Sequence, residues 1–321
     1  MSEPALSVVI VVGERRRLLA GAMRSVLSQQ LTADLELLII DGRPDLVLPF
    51  EVGNPRVRYI VRPGIRHFGQ LRAEGALVAN APIVAYLEEH ARARPGWAAT
   101  IVEAMASRPW AGIGGETYSH NPGLPIADAV WLHNFAPHLP PGRAIRPVRL
   151  LPGHNSAYRR DLLLGYGAEL AMLLQCEILL NLRLSSAGWQ LGFVPAMRWS
   201  HINESTLFSL LPAIFHWHRI FGAVRHQQLG WSRTTHARQL LKLPLTPLIR
   251  PLNIGRTALR HRPDLLGLYL RSLPTLWLIC LTAAIGIAVG ELLGLGNAVE
   301  RFWYDETAAA RPFDERSEQS L

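Results

Sequence analysis

The chain contains 321 residues, of which 49% are hydrophobic and 18% are charged, and it carries a formal net charge of +8. The charged share is below the roughly 25% of ordinary soluble domains, and apolar material is ample. Composition therefore excludes disordered and fibrous proteins and leaves one large domain or two ordinary ones. Cys176 and Cys280 are the two cysteines. They provide neither a disulfide framework nor a Cys-rich metal site, which fits a reducing compartment.

The N-terminal part alternates short apolar runs with amphipathic stretches. Strands are predicted at Ser7–Val12, Leu35–Ile40, Val57–Val61 and Ile83–Leu87, and helices at Arg17–Gln30, His67–Asn80 and Trp97–Ser107. Such alternation predicts right-handed strand–helix–strand units, and hence an α/β fold with a mostly parallel, Rossmann-like sheet and flanking helices. Ligands bind at the carboxyl ends of the strands in these sheets. Asp41 and the group Glu88–His90 fall at two such ends.

The middle of the chain has a weaker pattern. A Pro-, Gly- and His-rich stretch follows Gly112–Glu116 and continues to about residue 150, and we predict that it is irregular and lies outside the core. A helix is predicted at Met172–Leu184 and a strand at Leu191–Val194. Glu177 lies on this helix among apolar neighbours, where a carboxylate needs a specific role. His201 follows the strand.

Residues 207–271 concentrate the positive charge, with ten basic residues against a single acid, Asp264. A basic block of this kind indicates a polyanionic partner, either nucleic acid or an anionic membrane surface. Aromatic residues are mixed with the arginines, as on a membrane-surface helix. We predict amphipathic helices in this segment. Their predicted breaks are Pro212, Pro244, Pro247, Pro251 and Pro263.

The next segment, Ser272–Gly290, contains 19 residues without a charge. As a helix it would be about 28 Å long, enough to cross a hydrocarbon core of about 30 Å. We predict a transmembrane helix at 272–296, with a buried core helix and a re-entrant hairpin as alternatives. The basic block before this helix places residues 1–271 in the cytoplasm by the positive-inside rule. Nucleic acid then becomes the weaker partner.

Three groups of polar residues have the chemistry of a metal and diphosphate site. They are Asp41, Glu88–His90, and Glu177 with His201. Divalent cations on a diphosphate prefer carboxylate oxygens, and manganese also accepts imidazole. Transfer of a sugar from a nucleotide diphosphate needs neutralisation of the diphosphate, a base for the acceptor hydroxyl, and groups that hold the nucleotide. This set could supply all three.

Five stretches together resemble the family 2 inverting glycosyltransferases of the GT-A fold. The stretches are SVVIVVGERRRLLAGAMRSVLSQQ, LELLIIDG, GQLRAEGALVANAPIVAYLEEHARARPGW, GHNSAYRRDLL and CEILLNLRLSSAGWQLGFVPAMRWSH. They cover about residues 6–204 in the order and spacing of the family. The resemblance implies a GT-A domain at 1–205. The rest of the chain is predicted as a basic amphipathic segment at 206–271, the transmembrane helix at 272–296 and a polar tail at 297–321.

The resemblance also implies donor-binding residues. Asp41 matches the acid that reads the base of the donor nucleotide, and Glu14 lies where the loop after the first strand touches the same nucleotide. Arg72 matches an arginine that lies close to the donor. Glu88 and Glu89 fall in the segment that replaces the Asp-x-Asp motif of the family, which meets ribose and metal.

The remaining roles are those of the metal ligands and the catalytic base. Glu88 and His90 occupy the two acid positions of the Asp-x-Asp motif, and His201 falls where some relatives place a further metal ligand. Because one ligand is now a nitrogen, manganese is favoured over magnesium. Glu177 matches the catalytic base, although Cys176 has replaced the first acid of the Glu-Asp pair of the family.

Together these implications describe a glycosyltransferase attached to the cell membrane with its catalytic domain in the cytoplasm. It would use a nucleotide-diphosphate sugar and a divalent cation, contact membrane lipids, act on a lipid-linked or polysaccharide acceptor, and bind no nucleic acid. Two rivals stay open: a non-catalytic membrane scaffold that retained the fold, and a polyanion-binding protein that uses residues 207–271. Single residues also have structural alternatives. Asp41 could cap a turn, Glu177 could pair with Arg183, and Arg15–Arg17 fits a solvated helix start.

Overall fold

The computed structural model describes residues 3–13, 16–31, 34–43, 54–139, 142–153 and 155–307. These residues form two compact units. The described residues of 1–118 and 142–201 make up the first, here called the N-terminal unit, and those of 119–141 and 202–312 make up the second, the helical unit. The domain boundary predicted at residue 205 lies close to this division, while the assignment of 119–141 to the helical unit was not predicted.

The N-terminal unit consists of a sheet and its flanking helices. Its strands are β1 (Leu6–Val12), β2 (Leu35–Asp41), β3 (Val57–Val61), β4 (Ile83–Tyr86), β5 (Ala91–Ala93), β6 (Gly112–Ser119), β7 (Arg146–Val148), β8 (Ser156–Arg159) and β9 (Leu191–His201). Its helices are α1 (Leu19–Leu27), α2 (Phe68–Val78), α3 (Trp97–Ser107), α5 (Arg160–Leu164), α6 (Leu170–Gln175) and α7 (Glu177–Ser186). The α/β prediction is confirmed.

The sheet has the strand order β3-β2-β1-β4-β8-β6-β9-β5, with β7 paired to β9. Pairings among β3, β2, β1 and β4 are parallel, whereas those of β4 with β8, β6 with β8, and β9 with β5 and β7 are antiparallel. The sheet is therefore mixed, and the expectation of a mostly parallel sheet holds for its N-terminal half. The alternation of strands and helices predicts the parallel pairings. It does not show which strands the later strands pair with, or in which direction they run.

The first two strands position the edge of the sheet that carries Asp41. Leu6–Val12 is buried throughout and pairs in parallel with β2, so that Val12 lies opposite Asp41. Helix α2 packs closely on this pair, because a Cβ at Gly75 would lie 2.5 Å from a methyl carbon of Val9. This close approach brings α2, and Arg72 on it, to the carboxyl ends of the strands.

Two elements near the C-terminal end of the sheet differ from prediction. The single helix predicted at Met172–Leu184 is divided at Cys176, whose backbone is non-helical, so Glu177 begins α7. The predicted strand Leu191–Val194 continues through Pro195 and ends at His201. Apolar periodicity does not report a single non-helical residue, and proline is tolerated where the strand does not need its N–H.

The stretch after β6 is only partly irregular, so the prediction that it lies outside the core was wrong. Residues Pro125–Phe135 form a helix, α4, with Pro125 at its first turn. Apolar side chains of α4, among them Trp131 and Leu132, are buried in the helical unit. Proline is tolerated in the first turn of a helix, because the N–H that it lacks would have no acceptor within the helix there. The prolines and histidines of this stretch obscured the apolar pattern that indicates a helix.

Helices make up the rest of the helical unit. They are α8 (Leu207–Gln228), α9 (Arg233–Lys242), α10 (Thr246–His261), α11 (Leu266–Leu293) and α12 (Ala298–Thr307). The predicted breaks at Pro212 and Pro251 were wrong, because both prolines lie inside continuous helices. A proline inside a helix removes one backbone hydrogen bond. Contacts with a neighbouring helix stabilise α10 at this point, since the Tyr269 hydroxyl of α11 donates to the Pro251 carbonyl at 3.1 Å.

Two helical stretches are long and apolar enough to cross a membrane by length and composition, Leu207–Gln228 and Pro263–Leu293. One such helix was predicted at 272–296; the structure ends α11 at Leu293, before Gly294 with its positive φ of 71°. Helices α8 and α11 touch at the small residues Gly222, Gly286 and Gly290, where an added Cβ would collide with the backbone of the other helix. Small residues at such spacing allow close helix packing.

Glu36 is a buried carboxylate at the far end of β2 from the candidate site. It accepts hydrogen bonds from the Ser7 hydroxyl (2.6 Å), the Asn80 amide N–H (2.6 Å) and the Arg58 guanidinium (2.8 Å). Burial alone would raise the pKa of Glu36. The bonds from Ser7, Asn80 and Arg58 outweigh burial and hold this pKa below its ordinary value of 4.5. The folded state therefore binds fewer protons at acid pH than the unfolded chain.

Glu36→Gln is expected to lower the free energy of unfolding at pH 7 by about 2 kcal/mol, because the amide replaces a charged acceptor. The Glu36 contribution is present above the unfolded pKa and is lost as pH falls through the folded pKa. The gap to wild type should therefore narrow as pH falls below 4.5, the ordinary value of this pKa. Thermal unfolding at pH 7 and at one pH well below 4.5 tests this. Glu103→Gln, an exposed change on α3, is the control, and an equal gap at both pH values would contradict the prediction.

Candidate functional site

A cluster of three metal-ligating side chains lies where β4, β5 and β9 meet. Glu88 and His90 belong to the short link between β4 and β5, and the antiparallel pairing of β5 with β9 places His201 opposite Ala91. The pairing thus brings together residues that are 111 positions apart. His90 and His201 are buried, and Glu88 is almost so. The predicted metal ligands Glu88, His90 and His201 are all in this cluster.

The ligand atoms of the cluster form a nearly equilateral triangle. The Nε2 atoms of His90 and His201 are 3.0 Å apart, and the Glu88 Oε2 atom lies 3.2 Å from each. Three ligands on one face of an octahedron, each about 2.1 Å from the metal, are about 3.0 Å apart. The spacing therefore fits a divalent cation held on one face, with the opposite face left for other ligands.

The aromatic surroundings orient His201. The Trp199 ring meets the His201 ring edge to face, with centroids 5.7 Å apart, and the indole N–H of Trp199 donates to the Thr117 hydroxyl at 2.5 Å. The two imidazole rings also meet edge to face at 4.7 Å. Such support fixes the direction of the ring nitrogens, as metal-ligating histidines require.

Arg72 connects the metal-ligating cluster to Glu177. Its Nη1 atom donates to the Glu177 carboxylate at 2.5 Å and to the Leu174 carbonyl at 3.0 Å, and its Nη2 atom lies 3.8 Å from the Glu88 Oε1 atom. Both Arg72 and Glu177 are buried. A single guanidinium thus lies between the predicted base and a predicted metal ligand. The alternative pair of Glu177 with Arg183 is not formed, since Arg183 pairs with Glu169 at 3.2 Å.

Close contact of α2 with α6 sets this geometry. A Cβ at Gly69 would lie 1.9 Å from the Ala171 carbonyl oxygen, so only glycine permits the approach. The Gly69 N–H donates to the buried Gln175 side chain at 2.9 Å. Arg72, one turn later on α2, consequently faces the start of α7. Sequence reasoning did not identify Gly69 or Gln175, although both flank predicted site residues.

Three buried groups close enough to feel the charge of Glu177 are neutral: Cys176, Tyr86 and Tyr158. Burial, and then the negative charge of Glu177, raises the pKa of the Cys176 thiol. Burial raises the pKa values of Tyr86 and Tyr158 as well, and the Tyr158 hydroxyl donates to the Asn181 carbonyl oxygen at 3.0 Å. These groups remain protonated at neutral pH, so Glu177 is the group at this position that can accept a proton. Cys176 does not replace the missing acid.

Asp41 lies at the end of β2, as predicted, and is fully buried. Its carboxylate receives two hydrogen bonds from Arg16, at 2.7 and 2.9 Å, one from the Arg43 amide N–H at 2.7 Å, and one from the Tyr59 hydroxyl. Arg16 is 5% exposed, so the expectation of a solvated helix start at Arg15–Arg17 was wrong for this residue. Burial, then the bond to Asp41, raises the pKa of Tyr59.

The other residues predicted to contact the donor, Glu89 and Glu14, are less informative. Glu89 is buried and accepts a hydrogen bond from the Gly13 N–H at 3.0 Å. It therefore contacts the end of β1 and is not a member of the metal-ligating cluster. Glu14 lies outside the described residues. Arg16 and Tyr59 were missed by sequence reasoning, because the register of β2 with β3, which pairs Tyr59 with Ile39, is not encoded in either segment alone.

Comparison with known proteins bears on the N-terminal unit. Residues 7–166 match the family model Glycosyl transferase family 2. The chain is similar to validoxylamine A glucosyltransferase of Streptomyces hygroscopicus subsp. jinggangensis (strain 5008), with 29% identity over 154 residues. This alignment covers 45% of the chain and 35% of that relative. It is also similar to the crystal structure of GalNAc-T7 with UDP, GalNAc and Mn2+, with a TM-score of 0.49 and 15% identity over 68% of this chain and 48% of that one.

Proposed function

Because residues 7–166 belong to glycosyl transferase family 2, we propose that this protein transfers a sugar from a nucleotide-diphosphate donor to an acceptor hydroxyl with inversion. One observation carries the proposal: Arg72 lies between Glu177 and the cluster of Glu88, His90 and His201. A carboxylate base, a guanidinium and a set of cation ligands are the three elements that this reaction uses.

In the proposed reaction the acceptor oxygen attacks the anomeric carbon from the face opposite the diphosphate. The new carbon–oxygen bond forms as the bond to the diphosphate breaks, and the acceptor proton passes to the Glu177 carboxylate. The electron pair of the broken bond leaves with the nucleotide diphosphate. A positioned base of this kind contributes about 10²–10⁴ in rate. Arg72 stabilises the negative charge that develops on the leaving group.

Glu88, His90 and His201 would hold a divalent cation, and two imidazole ligands favour Mn²⁺ over Mg²⁺. When bound, this cation supplies positive charge for the diphosphate. The cluster brings two ring nitrogens and one carboxylate oxygen within 3.2 Å of one another. Such crowding of acceptor atoms is eased by a shared cation or by a proton.

Donor recognition is assigned to Asp41, Glu14, Arg72, Glu88 and Glu89. Asp41, at the end of β2, would contact the base of the nucleotide. Arg16 and Tyr59 orient its carboxylate. Glu89 would support the same region by anchoring the end of β1 at Gly13. The name of the glucosyltransferase reported above supports a sugar as the transferred group.

We also propose that the helical unit attaches the protein to the cell membrane. Leu207–Gln228 and Pro263–Leu293 are the two apolar candidates, and large apolar side chains of this unit are exposed, with Phe208 at 93% and Leu252 at 66%. The excess of arginine in 207–271 favours the cytoplasmic face. Membrane lipids are then a partner, and a lipid-linked or polysaccharide acceptor follows from this location.

A non-catalytic scaffold is the second candidate. Two observations favour it: Glu177 is already paired with Arg72, and the Asp41 oxygens are already engaged by Arg16, Tyr59 and Arg43. A scaffold could retain nucleotide binding but would not transfer a sugar.

A thermal-shift panel separates these functions and is the first experiment to make. The detergent-solubilised protein is combined with UDP-, GDP- and dTDP-sugars, each with Mn²⁺, Mg²⁺ or chelator. Ligands that bind only the folded state raise its apparent stability by mass action. A manganese-dependent shift with one nucleotide class would identify the donor and support the cation cluster. No shift with any donor, from folded protein, would favour the scaffold.

Arg72→Gln is expected to raise the donor KM at least about tenfold and to lower kcat, because a charged hydrogen-bond donor to the diphosphate is lost. Steady-state kinetics over a range of donor concentrations measure both constants. Arg62→Gln is the matched control, since Arg62 pairs with Glu74 away from the cation cluster. A donor KM unchanged from wild type would remove Arg72 from donor binding.

A further inference from the structure

Gln175 is a buried polar residue two positions before Glu177, and the reaction proposed above does not use it. It is the last residue of α6 and is 2% exposed. Its Oε1 atom accepts a hydrogen bond from the Gly69 N–H at 2.9 Å, and the two residues are 106 positions apart in the sequence. Glutamine is mostly exposed in proteins, and a buried amide is normally held by a hydrogen bond. The contact with Gly69 therefore indicates a specific role for Gln175.

The bond from Gly69 satisfies a backbone group at the start of α2. The N–H groups in the first turn of a helix have no acceptor within that helix. The His67 side chain satisfies one of them, since its Nδ1 atom accepts from the Gln70 N–H at 3.1 Å. Gln175 satisfies the Gly69 N–H from a different helix. The start of α2 is therefore capped by its own preceding residue and also by the end of α6.

Arg72 makes the reverse contact, from α2 to the end of α6. The Leu174 carbonyl lies in the last turn of α6, where carbonyl groups have no donor within the helix. The Arg72 Nη1 atom donates to this carbonyl at 3.0 Å. Each helix thus supplies a hydrogen-bond partner that the end of the other lacks. The two bonds, Gly69 to Gln175 and Arg72 to Leu174, are here called the reciprocal cap.

The reciprocal cap connects directly to Glu177. The backbone is non-helical at Cys176, so α6 ends there and Glu177 is the first residue of α7. The Arg72 Nη1 atom that donates to Leu174 also donates to the Glu177 carboxylate. One guanidinium nitrogen therefore contacts the end of α6 and the start of α7. The position of Arg72 on α2 then determines where this carboxylate is held.

The two helices are already in backbone contact at Gly69. A Cβ there would lie 1.9 Å from the Ala171 carbonyl oxygen and 2.5 Å from the Gln175 backbone nitrogen. Helix α2 consequently cannot move closer to α6 to replace a lost bond. If the Gln175 oxygen is removed, the buried Gly69 N–H loses its acceptor, and the start of α2 must move away from α6 to reach water or another acceptor. Such a movement displaces Arg72, one turn later on the same helix.

We propose that Gln175 is a positioning residue for Glu177. By holding the start of α2 against α6 it keeps Arg72 in place, and Arg72 keeps the Glu177 carboxylate oriented toward the acceptor hydroxyl. Gln175 takes no proton itself and acts through Gly69 and Arg72. The inference rests on the proposed function of Glu177 as the base. A displacement of about 1 Å at a reacting group can cost about 10²-fold in rate, so a single hydrogen bond at this distance from the reaction affects the chemical step.

The test compares two substitutions of Gln175 in the complete chain. Gln175→Met keeps the length of the side chain and removes the acceptor oxygen, and it is expected to lower the single-turnover transfer rate at least about tenfold. The donor KM should stay within about threefold of wild type, because Arg72 and the cation ligands are all retained. Gln175→Glu keeps an acceptor oxygen, and a carboxylate suits the N-terminus of α2. Its transfer rate should stay within about threefold of wild type.

Gln190→Met is the matched control, because it makes the same change at an exposed position and should transfer sugar at the wild-type rate. All rates are measured well below the Tm of each variant, so that loss of folded protein does not lower them. If Gln175→Met does not fold, Gln175→Asn, whose amide is one methylene shorter, should show the same loss of rate.

The outcomes separate this inference from the proposed function. No transfer by the wild-type chain would contradict the proposed function and this inference together. Transfer by the wild-type chain at a rate that Gln175→Met equals would overturn the inference alone. Equal losses in Gln175→Met and Gln175→Glu would also overturn it, because the acceptor oxygen would then not be the cause. A tenfold rise of the donor KM with an unchanged single-turnover rate would place Gln175 in donor binding instead.

Discussion

Glu177→Gln is expected to reduce sugar transfer by about 10²–10⁴, close to complete loss, while donor binding stays within about twofold. The amide oxygen can still accept the hydrogen bond from Arg72, so the position of the Arg72 side chain is preserved. The amide cannot take a proton from an acceptor hydroxyl. Single-turnover transfer with saturating donor measures the chemical step, and the donor-induced thermal shift measures binding.

Glu169→Gln is the matched control for this change, because Glu169 is a nearby exposed acid that pairs with Arg183. Its transfer rate should equal that of wild type. A Glu177→Gln rate close to wild type would remove the assignment of Glu177 as base. Loss of donor binding together with transfer would instead mean that Glu177 acts by holding Arg72 in place.

Glu88→Gln is expected to weaken Mn²⁺ binding at least about 100-fold, because even loss of an outer-shell partner costs 10–100-fold and Glu88 is the single carboxylate of the cluster. His201→Gln should have an effect of similar size. Mn²⁺ binding is measured directly by electron paramagnetic resonance of the free ion or by calorimetry. Both readouts are independent of sugar transfer.

Glu89→Gln is the matched control, because Glu88 and Glu89 are adjacent in sequence but contact different groups. Glu89 contacts Gly13, whereas Glu88 lies 3.2 Å from both imidazoles. The Glu89 variant should therefore bind Mn²⁺ like wild type. Equal weakening in both variants would point to a general loss of negative charge, and unchanged binding in Glu88→Gln would show that the cluster is not a cation site.

Local patterns were sufficient to predict much of the N-terminal unit. The strand at Val57–Val61 and the helix at Trp97–Ser107 have the bounds predicted for them. Both are short segments whose apolar spacing suits one structure only. The motif resemblance likewise predicted Glu88, His90 and His201 as metal ligands, Arg72 as a donor-binding residue and Glu177 as the catalytic base, and these roles remain predictions.

Where prediction failed, contacts between distant segments decided the structure. Residues Pro125–Phe135 looked irregular because prolines and histidines outweighed the apolar signal, yet the helix is stable when it packs among the other helices of its unit. Arg16 looked solvated because it lies in a run of three arginines, yet it pairs with Asp41, 25 residues away. Neither partner can be read from the segment itself.

The sequence by itself determined the α/β class, most strands and helices of the N-terminal unit, the basic and uncharged segments, and the residue types at the site. These features depend on spacing and composition within about 20 residues. The tertiary structure alone decided that β9 pairs with β5 and so brings His201 to Glu88, and that the rings of His133 and His218 meet from α4 and α8. Such contacts depend on how strands and helices far apart in the chain are ordered in space, which periodicity within a segment does not encode.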